Sequence, residues 1–211
     1  IPGTIRANGS ILRANPDGSN LELVCYGLRN PFRIQFDRCN RLFAANHGMD
    51  IRGSRPVAKS PNEFQLIRPN CWYGWPDYTG GLPVTLPQFK PEGEPQPSFL
   101  WARHPMKPPK PFTTFQPHSA VMGFSFNENP CFGPVGDAYI AEFGAIVPTN
   151  TGGKPLYNVG HRVSCINMTN GEVTTFARNY SGLPAYMTNG GGFERPIDAV
   201  FGPNNELYIA D

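Results

Sequence analysis

Arg29 and Asn30 are the residues of this sequence best suited to chemistry. They stand in Gly27-Leu28-Arg29-Asn30-Pro31-Phe32, a turn-rich stretch that runs directly into a short apolar segment. A loop just before a strand is where a β scaffold presents polar side chains to a ligand. A guanidinium group binds carboxylates through paired hydrogen bonds, and an amide adds donors and an acceptor. The stretch therefore predicts a site for a ligand rich in oxygen atoms.

The elements that must position this pair form a repeat. Residues 31–46 and 196–211 correspond at a constant separation of 165 positions, and a third copy runs over residues 118–142 with a longer turn. The matching pairs are Pro31 and Pro196, Phe36 and Phe201, Leu42 and Leu207, Phe43 and Tyr208, Ala45 and Ala210, and Asn46 and Asp211. Superposition places Arg29-Asn30 over Glu194-Arg195 and over Ser119-Ala120. We therefore expect three equivalent corners around one channel mouth.

Composition and repeat together predict an all-β fold. The 211 residues include 24 Pro and 23 Gly, which disfavour helix interiors and suit turns. Residues 10–46 are expected to form one unit of four strands, and residues 160–176 a further hairpin. Repeated sheets of this kind must stack to bury their faces, as in a β-propeller. We predict a single, incomplete propeller domain over residues 1–211, with a long irregular loop insertion over about 47–118.

The remaining composition excludes several classes of protein. The net charge is only +2, with no basic run, so nucleic acid is not an expected partner. No apolar run is long enough to span a membrane, and no signal peptide is visible. Five widely spaced cysteines lack a C-x-x-C pair, so we expect them to be buried or disulfide-bonded structural residues.

Motifs in succession along nearly the whole chain resemble the glucose/sorbosone dehydrogenase family. They lie at residues 27–32, 45–48, 52–57, 72–77, 118–120, 141–144 and 195–198. The resemblance implies a six-bladed propeller, of which this chain would hold three to four blades. It also implies a bound pyrroloquinoline quinone (PQQ) and Ca²⁺, used to oxidise sugars.

The resemblance also implies a role for individual residues. Arg29 and Asn30 would bind and polarise the quinone, Arg195 would bind a cofactor carboxylate, and the main-chain carbonyls of Gly48 and Met49 would ligate Ca²⁺. Arg29 and His118 are the predicted catalytic residues, whereas the general base of the family is expected in a segment before Ile1. Two positions depart from the family: Phe32 stands where some members have glutamine, and Gly144 where some have lysine.

Other interpretations of the same residues stay open. Arg29 could pair with an acidic neighbour, Asn30 could cap the turn before Pro31, and Arg195 could bridge to an adjacent carboxylate. At the level of function, one hypothesis is a periplasmic or extracellular dehydrogenase that passes hydride from a sugar or aldose hydroxyl to PQQ, with an external electron acceptor such as a cytochrome. The alternative is a non-catalytic propeller that binds a protein or glycan through its long loops.

Overall fold

The computed structural model describes residues 8–145 and 158–211, which are built from short antiparallel strands. Two sheets have four strands each. The first sheet has the order β3 (Pro31–Phe36), β4 (Leu42–Asn46), β5 (Asn62–Leu66) and β8 (Thr113–Phe115). The second has the order β9 (Val121–Phe126), β10 (Ala138–Glu142), β11 (Arg162–Ile166) and β12 (Val173–Arg178). The all-β prediction is confirmed.

Three further sheets are two-stranded. They consist of β1 (Ser10–Arg13) with β2 (Glu22–Tyr26), β6 (Tyr78–Thr79) with β7 (Leu82–Pro83), and β13 (Asp198–Phe201) with β14 (Leu207–Ala210). The predicted unit of four strands over residues 10–46 is wrong, because β1 and β2 do not join β3 and β4. Gly27, at a φ of +78°, packs its Cα against the indole of Trp72, and the edge of β2 at Tyr26 pairs with Trp72 instead.

The repeat found in the sequence is reproduced in the strand registers. Phe36 pairs with Leu42 in β3 and β4, and Phe201 pairs with Leu207 in β13 and β14, again 165 positions apart. The connecting turns agree as well. Asn40 and Asn205 occupy the same place in them, with φ values of 57° and 74°, and each donates its backbone N–H to the residue three positions earlier. Asparagine tolerates this left-handed conformation better than most residues.

The long segment between the first two copies is not wholly irregular. The prediction for residues 47–118 missed β5 and β8, which complete the first sheet. The segment also contains the β6 and β7 pair and a short 3₁₀ helix at Pro87–Phe89. Its prolines are concentrated outside these strands, where they do not interrupt the ladder.

The two four-stranded sheets pack face to face. Phe43 and Phe64 of the first sheet meet Phe124 and Phe126 of the second, with the rings of Phe64 and Phe124 4.8 Å apart in an edge-to-face contact. The β13 strand lies beside β9, where Ser125 donates to the carbonyl of Ala199 at 2.8 Å. The strands β3 and β13 both contact β9. The loops that precede these three strands therefore lie close together.

Two general features complete the fold. All five cysteines are free thiols, so the disulfide interpretation is not supported, although Cys25 is buried as expected. In residues 8–145 and 158–211, no helix has the length and apolar character needed to cross a membrane.

Candidate functional site

A cavity of about 250 Å³ lies where the loops before β3 and β9 meet the loops after β4 and β10. Four loops therefore contribute to it, and they bring together residues that are far apart in sequence. Arg29, Asn30, Gly48, Met49 and His118 all lie on its wall. The remaining lining residues are His47, Asp50, Ile51, Arg52, Ser60, Asn62, Ala120, Gly144 and Ala145.

Arg29 is held by an acidic neighbour within the cavity wall. Its Nη2 donates to Asp50 Oδ2 at 2.8 Å, and Arg52 approaches the other carboxylate oxygen at 3.8 Å. A guanidinium has five N–H donors, so one contact with Asp50 leaves Nε and Nη1 for a ligand. The ion pair fixes the direction of the side chain, and the second arginine leaves this part of the wall with a net positive charge.

Asn30 is fixed by its backbone and by its side chain. Its N–H donates to Asn46 Oδ1 at 3.0 Å, and Asn46 in turn donates to buried Glu63 Oε2 at 2.8 Å. Its side-chain Nδ2 lies 3.0 Å from His47 Nδ1. Burial raises the pKa of Glu63, and the donors around it counteract this only in part. This chain of contacts holds Asn30 at the mouth of the cavity.

Side chains of Ser60 and Asn62 hold the backbone at Gly48 and Met49, and the carbonyl of Gly48 points away from Ser60. The N–H of Met49 donates to Ser60 Oγ at 2.6 Å, and the N–H of Gly48 donates to Asn62 Oδ1 at 3.2 Å. In a trans peptide the C=O points opposite to the N–H, so the Gly48 carbonyl points away from Ser60. Within the described parts of the chain, no backbone N–H donates to the Gly48 or Met49 carbonyl. Both are oxygens of the type that Ca²⁺ accepts.

His118 lies across the cavity, at the start of the loop before β9. Its backbone has a φ of 65°, and its side chain is half-buried. Burial lowers the pKa of the imidazole, Asp50 opposes this effect, and Arg52 and Arg29 add to it. The histidine is therefore mainly neutral near pH 7. No group of three or more His, Cys, Asp or Glu side chains could hold a metal in the described residues.

Comparison with solved structures identifies the architecture. One neighbour is the PQQ-bound aldose sugar dehydrogenase of Streptomyces coelicolor, with 18% identity and a TM-score of 0.56 over 95% of this chain and 45% of that chain. The apo form of the soluble aldose sugar dehydrogenase of Escherichia coli is 19% identical, with a TM-score of 0.57 over 95% of this chain and 50% of that chain. A calcium structure of a Trichoderma reesei AA12 family enzyme is 14% identical, with a TM-score of 0.55 over 90% of this chain and 51% of that chain.

The fold is that of a partial β-propeller. This chain spans about half the length of the neighbours it matches. No protein-family model matches the sequence, and no curated protein matches it either. At this level of identity, the likeness establishes the fold and leaves the activity to be argued from the site.

The corners of the propeller correspond as the repeat predicts. Asn46 accepts a hydrogen bond from the N–H of Asn30, and Asp211, 165 positions later, accepts one from the N–H of Arg195 at 2.7 Å. In the copy at β9, the N–H of Phe143 donates to the Ala120 carbonyl, just as that of His47 donates to the Asn30 carbonyl. The three corners are therefore equivalent in the propeller.

Arg195 lies behind the cavity wall of the propeller instead of on it. Its Nη1 donates to the carbonyl of Ala145 at 2.7 Å, and its guanidinium stacks over Phe143 at 4.9 Å and Tyr186 at 5.7 Å. Ala145 itself lines the cavity. The structure thus brings Arg29, Asn30, Gly48, Met49 and His118 together, whereas Arg195 supports the loop beside them. It forms no ion pair with Glu194 or Asp198 among the described residues.

Three wall residues of the propeller were missed by sequence reasoning. Asp50 pairs with Arg29, Ser60 supports Met49, and His47 contacts Asn30. Asp50 could have been found from its position directly after the Gly48-Met49 pair. The contacts of Ser60 with Met49 and of His47 with Asn30 could not be predicted from the sequence, because they depend on how the loops fold back across the cavity.

Proposed function

We propose that this chain is part of a PQQ- and Ca²⁺-dependent dehydrogenase of sugars or aldoses. The observation that carries the proposal is the convergence of Arg29, Asn30, His118 and the Gly48-Met49 backbone on one cavity. Neighbours with the same fold include a PQQ-bound sugar dehydrogenase and a calcium-containing AA12 enzyme. Their ligands match the donors that line this cavity.

The residues present fit the chemistry of the quinone. PQQ carries three carboxylates and two quinone oxygens, which call for a fixed cation and directed N–H donors. Arg29 keeps donors beyond its Asp50 contact, and Asn30 adds an amide held from behind. The carbonyls of Gly48 and Met49 would supply neutral oxygens for Ca²⁺, a cation that readily accepts such ligands.

The chain's own residues would bind, orient and supply charge. When bound, PQQ would supply the hydride acceptor for the oxidation of a sugar carbon, and a base would take the hydroxyl proton. Arg29 and Asn30 would donate to cofactor oxygens that gain negative charge. Asp50 would keep the Arg29 side chain directed into the cavity, while the second arginine leaves the wall with a net positive charge. His118, neutral near pH 7, can hold a proton at its ring. Arg195 would act from behind the cavity wall, where its Nη1 donates to the carbonyl of Ala145.

Three further parts of the proposal follow from the same chemistry. The substrate is a sugar or aldose, and an external electron acceptor such as a cytochrome reoxidises the reduced quinone. The enzyme would work in the periplasm or outside the cell. These parts rest on the kinship of fold with sugar dehydrogenases.

A matched pair of arginine variants tests the proposal. PQQ and Ca²⁺ are added to the protein, and the absorbance change and sugar-dependent dye reduction are recorded. Arg29→Ala should weaken PQQ binding by about 10- to 100-fold, because hydrogen bonds to charged groups are worth about 1.5–3 kcal/mol. Arg38→Ala, on the exposed turn after β3, should bind PQQ as the wild type does. Equal affinities of the two variants would remove Arg29 from the site.

A second function is favoured by one specific observation. The loop around Leu100 exposes Phe99, Leu100 and Trp101 to solvent, yet its backbone is rigidly held, since Leu100 and Trp101 donate to buried Asp77 at 2.8 and 2.9 Å. Apolar side chains fixed in advance are typical of a binding surface for a protein or glycan. On this alternative, PQQ at saturating concentration causes no absorbance change in the wild type, and Trp101→Ala abolishes the binding of the partner.

A further inference from the structure

His47 joins two sheets of the propeller through the two nitrogens of its ring. Nε2 lies 2.7 Å from the carbonyl oxygen of Val121, at the start of the second sheet and 74 positions away in sequence. Nδ1 lies 3.0 Å from Asn30 Nδ2. The ring of Phe32 stacks over the imidazole at 5.9 Å and nearly parallel. The imidazole is therefore fixed in position and in rotation.

These contacts determine where the ring proton lies. A backbone carbonyl can only accept, so Nε2 must carry the proton and donate to Val121. In a neutral imidazole, Nδ1 is then an acceptor, and the group facing it must be a donor. The side-chain NH₂ of Asn30 satisfies this requirement, so its Oδ1 must point to the other side of the amide.

We propose that His47 is a positioning residue that sets the amide orientation of Asn30 through this single tautomer. The carbonyl of Val121 dictates the tautomer, and the tautomer dictates which end of the Asn30 amide faces the cavity. The cavity then meets the carbonyl oxygen and the second N–H of Asn30 in one fixed arrangement. The consequence for cofactor binding rests on the proposed function, whereas the orientation itself does not.

His47 acts on the side chain of Asn30 and not on its backbone. Asn46 Oδ1 accepts the backbone N–H of Asn30 at 3.0 Å independently of the imidazole. A substitution at His47 should therefore change the amide orientation of Asn30 without moving its backbone.

Two substitutions separate the roles of the two ring nitrogens. His47→Asn keeps an acceptor near the Nδ1 position and loses the donor to Val121, whereas His47→Gln keeps the donor near Nε2 and loses the acceptor. His47→Gln should retain most of the stability but weaken PQQ binding by about tenfold, the cost of about 1.4 kcal/mol. His47→Asn should be less stable, yet bind PQQ within about threefold of the wild type below its unfolding temperature.

Nuclear magnetic resonance tests the orientation without any cofactor. In protein labelled with ¹⁵N, a coupling across the hydrogen bond should join Asn30 Nδ2 to His47 Nδ1, and the proton should be found on Nε2. A proton on Nδ1, or PQQ affinities in the reverse order for the two variants, would overturn the proposal. If the wild type binds no PQQ, the proposed function fails, and the coupling alone then decides the orientation of Asn30.

Discussion

Asp77 is a buried carboxylate that organises a whole loop. Its side chain is fully buried and accepts hydrogen bonds from the N–H groups of Leu100 and Trp101, from His104 Nε2 at 2.9 Å and from Arg55 Nη2 at 3.0 Å. Burial raises the pKa of the carboxyl, but these donors and the charge of Arg55 outweigh it and hold the pKa below its usual value. The charged form is therefore part of the fold.

Asp77→Asn should destabilise the protein by about 2–4 kcal/mol, because an amide nitrogen would face donors that need an acceptor. A carboxyl whose pKa is lowered by folding contributes stability above its unfolded pKa and loses it as the pH falls through the folded value. The wild type should therefore lose this contribution below about pH 4, and the variant should not. Urea unfolding at pH 7 and at pH 3–4 measures both effects.

An exposed ion pair provides the control for this prediction. Glu22→Gln removes the partner of Arg13, which lies 3.0 Å away at the surface. Exposed pairs contribute little, so its unfolding free energy should stay close to that of the wild type. Similar losses in the two variants would show that Asp77 does not organise the loop.

At the scale of the elements, the hairpins could be predicted from local chemistry. Asn15-Pro16-Asp17-Gly18 specifies its turn, and the N–H of Gly18 indeed donates to the Asn15 carbonyl. The β3 and β4 hairpin and the β13 and β14 hairpin share spacing and register, so their equivalence was visible as a constant separation. Turns and alternation act over a few residues, and a single sequence shows them directly.

Sheet membership and the support of the site depend on contacts that are distant in sequence. Nothing near Tyr26 indicates that β2 turns away to Trp72, and the ladder partners of β5 include β8, about fifty residues later. The Arg29 and Asn30 corner was predictable, because it repeats. The bond from His47 to Val121 was not, because it forms only when two sheets pack together.

At the scale of the elements, Gly144 is a position beside the cavity where a side chain does not fit. It follows β10 with a φ of +89°, and a Cβ there would lie 2.4 Å from the ring of His161. The absence of a side chain at this position thus has a local physical reason. Gly144→Ala should cost about 2–4 kcal/mol, because left-handed strain and overpacking add together.

Gly53→Ala is the matched control for Gly144→Ala. Gly53 has a φ of +86°, but nothing lies within 4 Å of a Cβ built there. It should lose about 1–2 kcal/mol from backbone strain alone. Thermal and urea unfolding of both variants measure the difference, and equal losses would contradict the crowding of Gly144 against His161.

At the scale of the whole molecule, polar contacts link the end of β4 to β9 and link β9 to β13, and these strands belong to three neighbouring sheets. His47 reaches β9, and Ser125 of β9 both donates to Ala199 and accepts from the N–H of Phe201 at 3.2 Å. The aromatic core between the two four-stranded sheets supplies non-directional attraction. The polar links supply direction, so the loops around the cavity depend on the packing of several sheets together.

Three partly or fully buried histidines give the molecule a dependence on pH. Burial is the first cause that lowers the pKa of His47, His118 and His161. The unfolded chain then binds more protons than the folded one as the pH falls below about 7, so these groups remove stability on acidification. Glu63 acts in the opposite sense, because burial raises its pKa. The change of the unfolding free energy with pH is the difference between the histidine and Glu63 contributions. Replacing a single histidine isolates the contribution of that residue.

His161 is the clearest of these groups to test. Its Nδ1 donates to the Glu194 carbonyl at 2.7 Å. Its Nε2 is buried without a partner among residues 8–145 and 158–211, so a second proton would have no acceptor there. His161→Asn keeps a donor at the Nδ1 position, tolerates the φ of 56° and does not titrate. Between pH 7 and pH 5, the wild type should lose more stability than the variant, by at most about 1.4 kcal/mol per pH unit. Parallel stability curves in urea at pH 5, 6 and 7 would show that His161 accepts a proton as readily in the folded protein as in the unfolded chain.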